Sequence, residues 1–352
     1  MSEKITNFLS SFGLMITGVL ILFAGTVSGT IVRRPVAPVA RLPSVESRST
    51  PTVVATHAPV PAPEGGDIPV VFPVSRPSVP LLKEAVEFGG PLTAAAVVVV
   101  DDDTNTVLYQ KNVNAVRPLA SITKLMSALV LSDLPMRWAS TTMVAEDDLI
   151  DASSHQVSAG ESYTLDNLWQ VALIGSSNSA IHALVRMSGL SPEQFVRKMN
   201  DKARSLGLAS LRFVEPTGLD DQNVGTALDI ARLLKAALKV DRIYRTLQTG
   251  EYYATPLNKS TKHRVWTTNW LLTNWVPNRF DKDLLVGKTG YIATSGYNFS
   301  VRITGARDHA IRVVVLGAAS NEARFGEAKS LAEWAFGHYV WPDDAGYALA
   351  AP

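Results

Sequence analysis

Three short elements of the chain contain residue types that together support nucleophilic catalysis. In chain order they are Ser121-Ile122-Thr123-Lys124, Ser176-Ser177-Asn178 and Lys288-Thr289-Gly290. A serine hydroxyl attacks a carbonyl only when a neighbouring group takes its proton, and a lysine does so only when its amine is neutral. Because the ordinary pKa of lysine is about 10.4, burial and a second nearby cation are needed to lower it. The set therefore indicates covalent catalysis by a serine that a lysine activates.

The first element lies at the start of a segment predicted to be a helix, SITKLMSALVLSD. Its apolar residues recur at the spacing of one buried helical face: Ile122, Leu125, Met126 and Leu129. Residues three positions apart lie on the same side of a helix, so Lys124 can reach the hydroxyl of Ser121. The helix amino terminus would add N–H groups and positive dipole character beside a developing oxyanion. We therefore predict Ser121 as the nucleophile and Lys124 as its base.

The second element falls between two stretches with helical periodicity, DNLWQVALIG and SAIHALVRM. We therefore expect its polar side chains at a helix junction. Ser176 would pass a proton to a leaving amine, and Asn178 would orient Lys124 or a substrate amide. Several serines surround Asn178, and we select Ser176 by its spacing.

The third element lies in a predicted strand, LLVGKTGY. Gly290 would allow a close approach of backbones, and the N–H that follows it could pair with a substrate. Lys288 and Thr289 would face a substrate carboxylate. Lys288 could also supply the cation that lowers the pKa of Lys124.

Strands are predicted at both ends of the folded region, with helices between them. TAAAVVVV and VLYQK, separated by DDDTNT, predict a hairpin. Three more strands and a closing amphipathic helix are predicted late in the chain: LLVGKT, GYNFSVRITG, AIRVVVLGAA and NEARFGEAKSLAEWAFGHYV. Residues from about 135 to 250 are mostly helical by the same test, and Ser191-Pro192-Glu193-Gln194 has the pattern of a capping box. We predict an α+β fold in which helices flank an antiparallel sheet and a mostly helical subdomain is inserted.

Composition excludes several classes of protein and site. The 352 residues include 33 basic and 32 acidic side chains, for a formal net charge of +1. No long run of one sign occurs, which does not favour binding to nucleic acid. Cysteine is absent, so disulfides, thiolate metal sites and a cysteine nucleophile are excluded. The six histidines lack the close spacing of helical zinc motifs, and no metal site is predicted.

The amino-terminal region differs in composition from the rest of the chain. Residues 8–32 contain no charged residue, and about 20 apolar residues suffice to cross a bilayer as a helix. We predict a membrane anchor at residues 1–34. A cleaved signal peptide is the alternative, but the apolar segment is long and lacks an A-x-A cleavage site. Residues 35–82 contain eleven of the twenty prolines and are predicted to be a linker.

The three elements, in this order, resemble the active site that penicillin-binding proteins share with serine β-lactamases. Further segments are similar to the low-molecular-mass D-alanyl-D-alanine carboxypeptidase family, especially its D,D-endopeptidase branch: RPLASITKLMSALV, LIGSSNSAIHAL, FVEPTGLDDQN, ALDIARLL, TTNWLL and VGKTGYIATSGYNF. The resemblance covers roughly residues 85–340. It implies a β-lactamase/transpeptidase-like fold, a serine D,D-peptidase domain at residues 83–343 and a short tail at residues 344–352.

The resemblance also implies roles for individual residues. Ser121 would be acylated and Lys124 would be its base, and the site would be completed by Ser176, Asn178, Lys288, Thr289 and Gly290. The backbone N–H groups of Ser121 and Tyr291 would form the oxyanion hole. The implied partners are peptidoglycan stem peptides as substrates and β-lactams as covalent inhibitors, without a metal or organic cofactor. The catalytic domain would lie outside the cytoplasm, tethered to the cell membrane by the amino-terminal segment.

Two other functions use the same pocket. A β-lactamase needs a base for deacylation, and Glu215-Pro216 resembles the glutamate–proline pair of class A β-lactamases. The following segment, TGLD, instead resembles the carboxypeptidase loop, and we favour the peptidase. A penicillin-binding sensor without turnover is the second alternative. For a peptidase, the leaving amine is either terminal D-alanine or the D-centre of a cross-linking diamino acid, and the flanking segments favour the second only slightly.

A group of aromatic residues precedes the third element. Its members are Tyr252, Tyr253, Trp266, Trp270 and Trp275. Such a group could line a sugar-binding groove, but tryptophans are more often partly buried in packing. We predict that these residues pack.

Overall fold

The computed structural model describes residues 78–84, 86–150 and 156–350. Its strands are β1 (Leu81–Leu82), β2 (Ala96–Asp101), β3 (Val107–Lys111), β4 (Arg117–Pro118), β5 (Thr141–Met143), β6 (Ser162–Thr164), β7 (Val224–Gly225), β8 (Glu251–Ala254), β9 (His263–Trp266), β10 (Val286–Ile292), β11 (Gly296–Thr304), β12 (Ala310–Ala318) and β13 (Tyr339–Val340). Its helices are α1 (Lys124–Asp133), α2 (Leu165–Ile174), α3 (Asn178–Met187), α4 (Pro192–Ser205), α5 (Ala227–Leu238), α6 (Asp241–Gln248), α7 (Asn321–His338) and α8 (Tyr347–Ala350).

Five strands form one antiparallel sheet in the order β10-β11-β12-β2-β3. Val98 of β2 pairs with Val314 of β12, and Lys288 of β10 pairs with Ser300 of β11. The predicted hairpin and the three predicted late strands are therefore confirmed as members of a single sheet. β10 lies at one end of this order, which leaves its outer edge beside the helical part of the domain.

Both faces of the sheet are covered. Val98 and Val100 pack with the helices from the middle of the chain, whereas Val97 and Val99 pack on the side of α7. Side chains alternate between the faces of a strand, so a strand covered on both sides needs a continuous apolar run. This explains the run of valines in β2, each of which contributes about 1.5–3 kcal/mol when fully buried.

α1 lies inside the helical block and contacts α3, α4 and α5. The residues predicted to form its buried face are buried, but so is every residue from Lys124 to Leu131. The prediction of a single buried face was therefore wrong. Helices surround α1, so its fully buried residues include Lys124 and Ser127.

α4 begins with the predicted capping box. Ser191 Oγ accepts a hydrogen bond from the N–H of Gln194 at 3.2 Å, and Gln194 Oε1 accepts one from the N–H of Ser191 at 2.8 Å. These two bonds satisfy N–H groups that the helix itself leaves without partners. The helix ends at Ser205, two residues before Gly207, whose φ is +68°.

The two ends of the described region meet beside the main sheet. β1 pairs with β13, and the hydroxyl of Tyr347 donates to the carbonyl of Val79 at 2.9 Å. Leu81 and Leu82, which composition assigns to the linker, are therefore paired with the end of the domain. The predicted anchor at residues 1–34 lies outside the described residues. Within the described ranges, no helix is long and apolar enough to cross a membrane.

Candidate active site

Ser121 lies in a 3-10 turn, Ala120–Thr123, between β4 and α1. The sequence predicts that Ser121 begins an α-helix, but the α-helix begins only at Lys124. Ala120 has φ = +50°, in the left-handed region, which costs an alanine about 1–2 kcal/mol. Neighbouring segments must therefore hold this turn in place.

Lys124 connects the nucleophile to two other parts of the chain. Its side chain is fully buried, and its Nζ lies 2.9 Å from Ser121 Oγ. Nζ also donates to Asn178 Oδ1 at 2.6 Å and to the carbonyl of Thr217 at 2.8 Å. The structure thus brings together the serine, the lysine and the asparagine that were predicted from separate elements.

The second element lies at the junction of α2 and α3. Ser177 Oγ is the N-cap of α3, where it accepts from the N–H of Ala180 at 3.3 Å, so this serine is engaged in the fold. Ser176 adopts φ = +62°, and its Oγ accepts from Lys288 Nζ at 2.7 Å. Ser176, rather than Ser177, therefore faces the third element.

Lys288 is buried in β10. Its Nζ donates to Ser176 Oγ and, at 3.0 Å, to the carbonyl of Thr289. Burial holds the pKa of Lys288 well below its ordinary value, and the positive charges of Lys124 and Arg324 lower it further. Lys124 is thus close enough to disfavour the protonated form of Lys288.

The rest of the third element lies against the turn Ala120–Thr123, called the nucleophile turn because it contains the predicted nucleophile. Thr289 Oγ1 donates to Thr268 Oγ1 at 2.5 Å. A Cβ on Gly290 would lie 2.7 Å from the carbonyl oxygen of Leu119 and 3.0 Å from the backbone nitrogen of Ser121. Only glycine allows β10 to approach the turn so closely. The exposed ring of Tyr291 stacks on Tyr297 with 4.4 Å between ring centroids.

The loop after Glu215 supports the turn from the other side. The carboxylate of Glu215 accepts from the N–H and the hydroxyl of Thr217 at 2.7 and 2.6 Å, from Asn223 Nδ2 at 2.5 Å, and from the N–H of Gly218. These four donors occupy both oxygens of the carboxylate. Gly218 has φ = +95°, and a Cβ there would lie 1.9 Å from the carbonyl oxygen of Ala120.

A buried amide and a buried guanidinium hold the turn and β10 together. Asn298 Nδ2 donates to the carbonyls of Pro118 and Leu119 at 3.0 and 3.1 Å. Arg324 Nη1 donates to the carbonyls of Gly290 and Asn298 at 3.1 and 3.3 Å. Burial lowers the pKa of Arg324 to about 10. Sequence reasoning missed both residues. For Asn298, its position as a polar residue inside the apolar strand GYNFSVRITG was a usable signal.

The aromatic group divides into packed and exposed members. Trp270 stacks on Phe325 with 5.6 Å between centroids, and Tyr252 is partly buried against the core, as predicted. Trp266, Trp275 and Tyr253 are 40%, 57% and 53% exposed. The prediction that all five residues pack was therefore wrong for these three.

The arrangement brings together the residues predicted for a serine nucleophile with a lysine base, and comparison with known proteins identifies the family. A family model described as D-alanyl-D-alanine carboxypeptidase matches residues 84–320. The chain belongs to this family. The predicted membership of the D-alanyl-D-alanine carboxypeptidase family is thereby confirmed, and with it the assignment as a serine-type peptidase.

A curated relative agrees with this membership, and solved structures share the fold. A D-alanyl-D-alanine endopeptidase of Pseudomonas aeruginosa is 32% identical over 245 residues, covering 69% of this chain and 77% of the relative. A D-alanyl-D-alanine carboxypeptidase from Mycobacterium tuberculosis H37Rv has a TM-score of 0.65 at 24% identity, covering 75% of this chain and 97% of that one. Penicillin-binding protein D2 from Listeria monocytogenes, in its cefotaxime-bound form, has a TM-score of 0.60 at 24% identity, covering 71% and 100%. The predicted α+β, transpeptidase-like fold is confirmed.

The sequence predicts no metal site. In the described part of the chain, no group of three or more His, Asp or Glu side chains is placed to hold a metal ion.

Proposed function

We propose that this chain hydrolyses D-alanyl peptide bonds of peptidoglycan stem peptides through an acyl-enzyme on Ser121. The observation on which this rests is the 2.9 Å contact between Lys124 Nζ and Ser121 Oγ in a buried site. Nζ directs N–H groups at Asn178 Oδ1 and at the carbonyl of Thr217. A neutral amine in this position presents its lone pair to the hydroxyl of Ser121, as a general base must.

Acylation then follows from the positions of the side chains. Ser121 Oγ attacks the carbonyl of the penultimate D-alanine while Lys124 takes its proton. The N–H groups of Ser121 and Tyr291 stabilise the oxyanion, and Gly290 allows these two segments to lie side by side. Carboxylate recognition falls to Lys288 and Thr289.

Collapse of the tetrahedral intermediate breaks the bond to the leaving amine. The amine takes a proton from the hydroxyl of Ser176, whose Oγ contacts Lys288. The lysine pair, Lys124 and Lys288, holds the proton that was removed from Ser121. Ser176 regains its proton from this pair. Water then attacks the ester, which releases the shortened peptide and restores the serine. β-Lactams would acylate the same serine.

Rapid hydrolysis of a β-lactam ester would require a free base such as Glu215. Both oxygens of Glu215 accept hydrogen bonds from the loop that holds Thr217 and Gly218. This arrangement supports a structural role for Glu215 and favours the peptidase over the β-lactamase.

The location of the enzyme is part of the proposal. The apolar residues 8–32 would anchor the chain in the cell membrane, and the proline-rich linker would hold the catalytic domain outside the cytoplasm, where peptidoglycan lies. Protease digestion of intact spheroplasts tests this arrangement. Protection of the catalytic domain in intact spheroplasts would refute it.

Incubation of the purified protein with cross-linked and uncross-linked muropeptides, with and without penicillin, tests the activity. We expect penicillin-sensitive products, identified by mass, and expect Ser121→Ala to abolish both turnover and covalent labelling by penicillin. Labelling of Ser121 without any turnover would identify a sensor instead. Labelling of Ser121→Ala at the wild-type rate would refute the assignment of the nucleophile.

A further inference from the structure

The exposed aromatic residues form a continuous surface on the β8–β9 hairpin and the segment after it. We define the aromatic platform as Tyr253, Arg264, Trp266 and Trp275. Tyr253 of β8 pairs with Arg264 of β9, and both side chains point outward together with Trp266. The guanidinium carbon of Arg264 lies 4.1 Å from the centre of the Trp266 ring. The platform is thus one connected face.

The side chains of the platform contact one another and the core although they are exposed. Trp266 contacts Trp275 with 6.3 Å between centroids, and Trp275 meets Trp270 edge-on at 5.4 Å. Trp270 in turn stacks on Phe325 in the core. Arg264 is fixed by an ion pair with Glu251. A surface whose side chains are already ordered loses little conformational entropy when a ligand binds.

The platform is close in the chain to a residue that contacts the active site. Two residues after Trp266, Thr268 accepts a hydrogen bond from Thr289 Oγ1 at 2.5 Å and donates its N–H to the carbonyl of Ile174 at 3.2 Å. Two residues span at most about 7 Å. The Cα of Trp266 therefore lies within about 7 Å of the Cα of Thr268, whose hydroxyl contacts Thr289.

This position lies on the leaving-group side of the site. In the proposed reaction, Lys288 and Thr289 bind a carboxylate that belongs to the amino acid that leaves. Terminal D-alanine ends at that carboxylate and would not reach the platform. The diamino acid of a cross-link instead continues into a second stem peptide, which is attached to a sugar. Only a cross-linked substrate extends beyond Thr289, and Trp266 lies two residues from the threonine that Thr289 contacts.

The chemistry of the platform fits a second stem peptide and the sugar attached to it. The apolar faces of sugar rings pack on exposed indole and phenol rings, which bury large areas at low entropy cost. Stem peptides are anionic, and the hairpin adds the exposed cations Lys259, Lys262 and Arg264. Exposed aromatic residues combined with arginine are typical of binding surfaces.

We propose that the aromatic platform binds the second strand of cross-linked peptidoglycan, namely the stem peptide and adjoining sugar on the leaving-group side. Binding of this second strand favours endopeptidase over carboxypeptidase action. This inference rests on the proposed function, because it assumes that Thr289 lies on the leaving-group side.

Kinetics of Trp266→Ala, Trp275→Ala and the double variant test this proposal. We expect kcat/KM for cleavage of a cross-linked muropeptide dimer to fall at least tenfold. The rate of acylation by a fluorescent penicillin and the release of D-alanine from an uncross-linked pentapeptide muropeptide should stay within twofold of wild type. Trp275→Phe should retain most of the dimer activity. Leu206→Ala, at another exposed apolar residue, is the matched control.

Binding measured in the Ser121→Ala background separates this proposal from the proposed function. Calorimetry should show that Trp266→Ala weakens binding of the dimer but not of the uncross-linked muropeptide, whether or not the wild-type protein turns either one over. Unchanged binding and cleavage of the dimer in the double variant would overturn the proposal. Equal losses of activity of the variants toward the dimer, the pentapeptide and penicillin would also overturn it. The same holds if the variants lose only binding to phosphatidylglycerol vesicles or only self-association.

Discussion

Replacing Gly218 by alanine should displace the nucleophile. The new Cβ would lie 1.9 Å from the carbonyl oxygen of Ala120 and 2.8 Å from the nitrogen of Ser121, and real Cβ atoms essentially never approach within 3.0 Å. The two backbones must therefore separate by about 1.1 Å to relieve the closer contact. Because a misplacement of about 1 Å can cost 100-fold in rate, we expect acylation of Gly218→Ala to slow by about 100-fold.

The matched control is Gly207→Ala. Gly207 also has a positive φ, +68°, but nothing lies within 4 Å of its Cβ position. Both variants should lose about 1–2 kcal/mol of stability from the left-handed backbone, whereas only Gly218→Ala should lose rate. Stopped-flow acylation by a fluorescent penicillin measures the rate, and circular dichroism verifies the fold. A folded Gly218→Ala protein that acylates as fast as Gly207→Ala would refute the role of this contact.

Three further predictions concern the charged groups around the site. Lys124→Ala should slow acylation by about 10²- to 10⁴-fold, the contribution of a general base; a loss below tenfold in the same assay would remove Lys124 from that role. The pKa of Lys288 is lowered in the folded state, so the unfolded chain binds the extra proton between that pKa and about 10.4. The free energy of unfolding should therefore rise with pH in that window, by at most about 1.4 kcal/mol per pH unit. Lys288→Met should flatten this dependence in urea unfolding between pH 7 and 10, and parallel profiles would contradict the lowered pKa. Glu215→Gln should cost about 1–3 kcal/mol of stability, because an NH₂ group would then face donors of the loop. Decay of its penicilloyl-enzyme should stay at the wild-type rate, and decay slowed more than tenfold would identify Glu215 as a deacylating base.

The strands and the contact between Ser121 and Lys124 could be predicted because their signals are local, whereas the meeting of the three sequence elements was implied by the resemblance to penicillin-binding proteins. A run such as Ala96–Val100 reports burial on both faces of a strand, and the spacing of Ser121 and Lys124 places them on one side of a helix or turn. Periodicity does not report which other segments cover an element. For this reason the complete burial of α1 and the exposure of Trp266 were both missed.

The conformation of the nucleophile turn also has no local signal. Alanine has no preference for positive φ, so nothing at Ala120 predicts the left-handed backbone. The turn adopts it because contacts from distant residues compensate: Gly218 and Gly290 lie against its backbone, and Asn298 binds the carbonyls that precede it. Such support is a property of the tertiary structure, and a single sequence does not reveal it.

The pairing of β2 with β12 affects how the protein is made. Val98 pairs with Val314, so the inner edge of β2 has no partner until more than 200 further residues have been synthesised. At about 5–20 residues per second, synthesis of that stretch takes on the order of 10–40 s. During this time an apolar strand presents an open edge, which can template aggregation. Folding of the sheet therefore waits for the carboxy-terminal part of the chain, and the nascent polypeptide needs protection until β12 arrives.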